Sequence, residues 1–338
     1  MNTDKPFKTI DEQMELLESR NLLFENKETV RLILTRYGYY EIINGYKDNF
    51  LKNPNNDDDG FKPNTTFEHI YALYKLDKNI RSCLKNSLED FELSFKQILA
   101  YTIAEAYSDK DSRYVAKSHY NAGKSHRRRR GNGIETDRDR LLRKMNNIIK
   151  YNDYQPYKHY REDHNNIPPW IAIKGLTFGE SVFLFKLSKR KVRDTVISKM
   201  LDLGLNTDLI PLADKTFKIR QAFGDVLALA LYYRNLTSHG GRIYNRRTNR
   251  YRLRYSNLLY PTIIDVNKKE FRKNKGRSSV GTLLCCLRIL KNEDCRSTLA
   301  SWLQVYLGMY LKLYPDDKNL LVDSLELNLK GCQINLDS

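Results

Sequence analysis

The sequence predicts an all-α fold, a helical bundle. Three observations carry that expectation. Apolar residues recur at three- and four-residue spacing over long stretches, above all from Phe67 to Tyr107. Helix-start signals precede several of these stretches. No pair of alternating segments reads as two strands. The chain has 338 residues, which at roughly 150 per domain allows about two domains or one large one. At 41% hydrophobic residues it can build a real core.

The elements follow in order. Ile10 to Ser19 places Ile10, Met14 and Leu17 on one face, with Asp11 and Glu12 in the first turn. Lys27 to Tyr37 is a second helix, followed by a Tyr-rich segment from Gly38 to Tyr46. Asn53 to Gly60 is a turn or loop by composition. Phe67 to Tyr107 carries Ile70, Leu73, Tyr74, Ile80, Leu84, Leu88, Phe91, Phe95, Ile98 and Leu99 at helical spacing, with no Gly or Pro. Unbroken, such a helix is on the order of 60 Å long; the charged Asp77 marks a place where it could break. Residues 135–150 read as a short charged helix, and Pro168-Pro169-Trp170 stops regular structure. Thr177, with Glu180 three residues on, has the pattern of a capping box. Phe217 to Leu236 is a further amphipathic helix ended by Gly240-Gly241. Residues 242–277 form a basic connection, and 280–313 return to helix. The organisation expected is an N-terminal helical region over 1–122, a basic loop over 123–134 and a C-terminal helical region over 135–338.

Composition excludes several functions. The 58 Lys and Arg against 41 Asp and Glu leave a net charge of +17, which points to a polyanionic partner. The apolar runs Val226–Tyr233 and Thr282–Leu287 are far below the roughly 20 residues of a membrane span, so no membrane partner is expected. The N-terminus has no apolar signal core. The five cysteines include no C-x-x-C pair, which argues against a disulfide framework or zinc site and for free thiols in the cytoplasm. No metalloprotease, EF-hand, P-loop or nucleophile-elbow motif is present. Asp57-Asp58-Asp59 lacks the alternation of a calcium loop and reads as solvated. No metal and no cofactor are expected.

The informative segment is Tyr233-Arg234-Asn235-Leu236-Thr237-Ser238-His239-Gly240-Gly241-Arg242, with an Arg five residues before a His at the end of an apolar helix. Arg, then Asn, then His four to six residues from the Arg resembles the signature of HEPN domains, many of which are ribonucleases. The longer string from Arg234 to Asn245 resembles the Abi-like (AbiD/AbiF) family of bacterial phage-defence proteins. The resemblance extends through Tyr37-Gly38-Tyr39-Tyr40, Gly45-Tyr46, Leu73-Tyr74-Lys75-Leu76-Asp77 with Arg81, then Glu89, Glu92 and Lys96, His159-Tyr160, Pro168-Pro169-Trp170 and Leu176-Thr177-Phe178-Gly179. One position departs: relatives often carry a second His where this chain has Gly240. The Arg/His spacing alone is weak in a chain this rich in Arg; Arg113 and His119 also match it, but without the Asn, in a polar stretch.

The family resemblance implies an all-α HEPN-type bundle with an N-terminal helical extension. It also implies Arg234, Asn235 and His239 as catalytic residues, with Glu92 and Lys96 as a supporting acid–base pair. The chemistry is coherent. RNA carries its own nucleophile, the 2′-hydroxyl. His239 is of the one residue type that ordinarily titrates near neutrality and can move the proton. Arg234 can stabilise charge on the phosphorane with its fork of donors. No metal is needed, and the products the family implies are a 2′,3′-cyclic phosphate and a 5′-hydroxyl. On an ideal helix Arg234 and His239 lie about 140° apart. Either the helix ends before His239, or the site is shared between two copies, as in HEPN enzymes; the expected assembly is a homodimer.

RNA is the expected partner, as substrate and, as in some relatives, as a controlling small noncoding RNA. The candidate contacts are Arg242, Tyr244, Arg246, Arg247, Arg250, Arg252 and Arg254, cations interleaved with rings that suit unpaired bases. A second candidate cluster is Arg127, Arg128, Arg129 and Arg130. The rival reading is an RNA-binding protein with a non-catalytic HEPN site.

Overall fold

The computed structural model describes residues 7–127 and 133–336. The chain is mainly helical, with a non-helical stretch over residues 239–267. Its first helices, α1 (Ile10–Ser19) and α2 (Lys27–Tyr37), lead into α3 (Phe67–Ala106), and a short α4 (Asp111–Tyr114) follows. A two-stranded antiparallel hairpin of β1 (Ser125–Arg127) and β2 (Ile134–Thr136) pairs His126 with Glu135. Next come α5 (Asp137–Tyr151), α6 (Tyr157–Asp163), α7 (Pro169–Ala172), α8 (Phe178–Leu187), α9 (Arg190–Met200), α10 (Ile210–Phe217) and α11 (Ile219–Ser238). The chain closes with α12 (Lys268–Arg272), α13 (Val280–Leu287), α14 (Asp294–Leu313) and α15 (Lys318–Leu325). Among the described residues no helix is long and apolar enough to cross a membrane.

Helix α3 is the axis of the molecule. Its 40 residues begin at the N-cap Thr66, whose hydroxyl accepts from the His69 N–H, and run without interruption. It packs along α14, α11 and α9, and the apolar core is continuous from Met14 to Cys332. The sequence placed a possible break at Asp77, and none occurs. The carboxylate is fully buried but receives partners from outside its own helix: the Tyr46 hydroxyl at 2.8 Å and the backbone N–H groups of Ile243 and Tyr244. A buried charge that is hydrogen-bonded on all sides does not have to leave the helix.

Local signals elsewhere act as the sequence leads one to expect. Thr177 and Glu180 form a reciprocal capping box at the start of α8, and Thr9 and Glu12 do so at α1. Four details differ. Pro168-Pro169-Trp170 does not stop regular structure: Pro169 occupies the first turn of α7, where its missing N–H is not needed. Residues 280–313 are two helices: between them the Ile289 carbonyl accepts from the Asp202 N–H and the Lys291 N–H donates to the Met200 carbonyl. The helix expected from Phe217 starts at Ile219, since Lys218 adopts a left-handed conformation (φ 53°) between α10 and α11. The hairpin was not expected; strands of three residues are too short to display alternation. The five cysteines are free and buried, with Cys285 Sγ 3.4 Å from Cys332 Sγ. The Asp57–Asp59 turn is tied down by cations, Asp57 to Lys47 and Arg20 and Asp58 to Arg20.

Candidate active site

The site forms where α11 lies against α3. Glu92, buried on α3, takes two cations. Lys96, one turn on, places Nζ 2.6 Å from Oε1, and Arg234 of α11 donates Nε–H to Oε2 at 2.9 Å. Lys96 also donates to the carbonyl of Leu176, just before the α8 capping box, at 2.7 Å. Glu92 and Lys96 are therefore not the surface pair that i,i+4 spacing alone describes; side-chain exposure is 8% for Glu92 and 14% for Lys96. The arrangement fixes the plane of the Arg234 guanidinium through one edge. Among the described residues its two Nη groups meet no acceptor, so part of the fork stays available to an oxyanion.

His239 is the C-cap of α11, exposed, with no side-chain partner among the described residues. The end of the helix is a Schellman motif: the Gly241 N–H bonds to the Leu236 carbonyl and the Gly240 N–H to that of Thr237. Gly240 takes φ +72°, which a glycine adopts without strain. That gives a physical reason for the one departure from the family pattern at this position. At Gly241 a β-carbon would come within 2.2 Å of Leu236 Cδ1, so the turn is closed on both counts. Arg81 of α3 reaches across to hold the turn, donating Nη1–H to the Gly240 carbonyl at 2.8 Å.

The two alternatives for the geometry are thus decided in part. Helix α11 ends at Ser238 and His239 follows as its non-helical C-cap (φ −98°, ψ 14°), which is the first of the two geometries the sequence allows. Arg234 turns to α3, and His239 lies at the exposed end of α11. Asn235 is exposed, and its carbonyl accepts the His239 N–H at 3.1 Å. The second Arg/His match has a structural role: His119 stacks on Tyr107 with ring centres 3.8 Å apart.

Two residues of this site have no role assigned from sequence, Asp77 and Arg81. Asp77 pins the segment after the His239 turn through the N–H groups of Ile243 and Tyr244, and burial pushes its carboxyl pKa up against those hydrogen bonds. Arg81 lies 3.8 Å from Asp77. The signal was present: an acid on the same helical stripe as Leu73, Tyr74, Ile80 and Leu84 has to find partners from another part of the chain.

The basic tract needs correction. Tyr244 is buried at 4% exposure, its ring against Tyr46 and its hydroxyl bound by Asn49, so it is not available to a base. Arg247 donates to the carbonyls of Ser324 and Asp323, and Arg254 forms a bidentate pair with Asp225. Arg252 and Arg277 share the Asn274 side chain. The tract therefore holds less free charge than its run of Arg and Lys suggests, because Asp225, Asp323 and Ser324 reach it from distant parts of the chain. Arg242, Arg246 and Arg250 remain exposed, lying over the rings of Tyr46, Tyr232 and Tyr251. Arg127 is exposed at the end of β1, and Arg128, Arg129 and Arg130 lie outside the described residues.

Fold and site together define an all-α protein with an Arg–carboxylate–Lys cluster beside a helix-terminal histidine. Residues 32–245, more than half the chain, match the family described as Abi-like protein, and the chain belongs to that family. The match spans Glu92, Lys96, Arg234, Asn235 and His239 and ends at Asn245, before most of the basic tract. No curated protein and no solved structure shows significant similarity to the chain. The family is one of abortive infection, the bacterial defence against phage.

Proposed function

We propose that this protein is a metal-independent endoribonuclease of HEPN type, acting in the bacterial cytoplasm in phage defence. The observation that carries the reading is the held Arg234. Glu92, itself paired with Lys96, orients its guanidinium on one edge and leaves donors on the other, five residues before an exposed His239 at the end of the same helix. In this reading the 2′-hydroxyl of RNA attacks the adjacent phosphorus and the bond to the 5′-oxygen breaks. His239 carries the proton, and Arg234 stabilises the charge that develops on the phosphorane oxygens. Asn235 orients the histidine or the phosphate. The products are a 2′,3′-cyclic phosphate and a 5′-hydroxyl.

The active species in this reading is a homodimer in which a second copy completes the site, as the family resemblance implies. A small noncoding RNA held on the cationic surface is the proposed controlling partner. The test is cleavage of total RNA in EDTA by wild type and by His239→Ala. Cleavage by wild type alone, with cyclic-phosphate ends, is the expected result. Loss of cleavage in EDTA overturns the mechanism, and equal cleavage by His239→Ala overturns the site. If neither protein cuts RNA but both copurify with one discrete RNA, the protein is a non-catalytic RNA binder.

A further inference from the structure

We propose that the cleft between the β1–β2 hairpin, α5 and α8 binds a single-stranded RNA segment. The substrate class rests on the ribonuclease reading; the site itself rests on its own geometry. The cleft has a volume of about 1130 Å³. That exceeds the roughly 300–1,000 Å³ of small-molecule sites and suits a length of polymer.

Its walls are cationic. Arg127, Arg140, Arg143 and Lys144 face two carboxylates, Glu135 and Glu180. Both carboxylates are already committed. Glu135 is held bidentately by Arg143 at 3.1 and 2.9 Å. Glu180 closes the α8 capping box through the Thr177 N–H at 2.8 Å and lies 3.8 Å from Lys144. Arg127 has no partner among the described residues, and Arg140 touches only Asp137, at 3.3 Å, a carboxylate shared with His126. Free guanidinium groups therefore remain for phosphates. Leu141 and the half-buried ring of Phe183 supply an apolar surface on which a base can stack.

The first turn of α8 lines the cleft and also packs against α11, the helix that carries Arg234. Gly179 lines the cleft, and a β-carbon there would sit 4.0 Å from Leu231 of α11. Leu231 is one helical turn before Arg234 and Asn235. Three residues before Gly179, the Leu176 carbonyl binds Lys96, which in turn holds Glu92.

The experiment uses the full chain carrying His239→Ala, so that the probe survives, and the fluorescence anisotropy of a labelled uridine 12-mer. Adding Arg140→Glu and Lys144→Glu should weaken binding at least tenfold and flatten its salt dependence. The same charge change at Lys27 and Lys158, remote from the cleft, should weaken it less than threefold. Equal weakening in the two sets, or none, overturns the proposal. Should the double reversal fail to fold, 4-thiouridine crosslinking on the His239→Ala protein decides. Adducts on the peptide containing Phe183 support the cleft, and adducts confined elsewhere overturn it. A cleft that binds the 12-mer in a protein that never cleaves RNA refutes the ribonuclease reading alone. RNA cleavage by a protein whose binding ignores the cleft refutes this inference alone.

Discussion

Arg234 Nε donates to Glu92 Oε2 at 2.9 Å, joining residues 142 positions apart across the α3–α11 interface. The bond settles which edge of the guanidinium faces inward, and so which donors face out. Glu92→Gln keeps the size of the side chain but removes the charge that grips both Arg234 and Lys96. RNA cleavage in EDTA should fall by on the order of tenfold to a hundredfold, as expected for a misplaced catalytic group. Glu92→Ala should also unfold at lower urea, by about 3 kcal/mol, because it strands the half-buried Lys96.

His239 separates function from stability. It is exposed and has no side-chain partner among the described residues. His239→Ala should therefore change the unfolding free energy by less than about 0.5 kcal/mol. Cleavage should drop by roughly 10²–10⁴-fold if the imidazole moves the proton. Urea denaturation and a gel assay on the same preparation check both halves.

Asp77 is the opposite case. Its carboxylate takes the Tyr46 hydroxyl and two backbone N–H groups, all buried. Asp77→Ala leaves those donors without an acceptor and should cost about 3–5 kcal/mol in urea denaturation. Hydrogen exchange should quicken first at Ile243 and Tyr244.

Gly240 tests the turn that holds the histidine. At φ +72° a β-carbon is strained, so Gly240→Ala should lower stability by about 1–2 kcal/mol, read as a fall in Tm.

The start of α5 gives a pH dependence. The Lys117 ammonium, then the Thr136 hydroxyl, hold the Asp139 carboxyl down at about 2. A carboxyl that titrates lower in the folded protein than in the unfolded chain, where Asp lies near about 3.9, stabilises the fold above the unfolded value. That contribution disappears as pH falls from about 4 toward 2. Asp139→Asn should show a shallower loss of stability over this window than wild type, measured by denaturation at a series of pH values.

How much of this was legible in the sequence varies with the range of the interaction. The cap at Thr177 is local, three residues wide, and reads directly, whereas the equivalent one at Thr9 went unread although its pattern is the same. Helix α3 read correctly in extent but not in continuity, because the partners that let Asp77 stay buried come from Tyr46 and from residues 243–244. The basic tract misread for the same reason: Asp225, Ser324 and Asn274 are invisible to a count of neighbouring charges. Glu92 and Lys96 were visible as a pair, but their burial was not.

The sequence alone determined the helical class, the family signature around Arg234 and His239 and the excess of positive charge. Those depend on residue identity, short spacing and composition. Only the tertiary structure decided that Glu92 grips Arg234, that α11 persists to Ser238 and that Tyr244 is buried. It also decided which cations stay free. Each of these depends on which distant segment supplies a hydrogen-bond partner, and a linear chain does not display that.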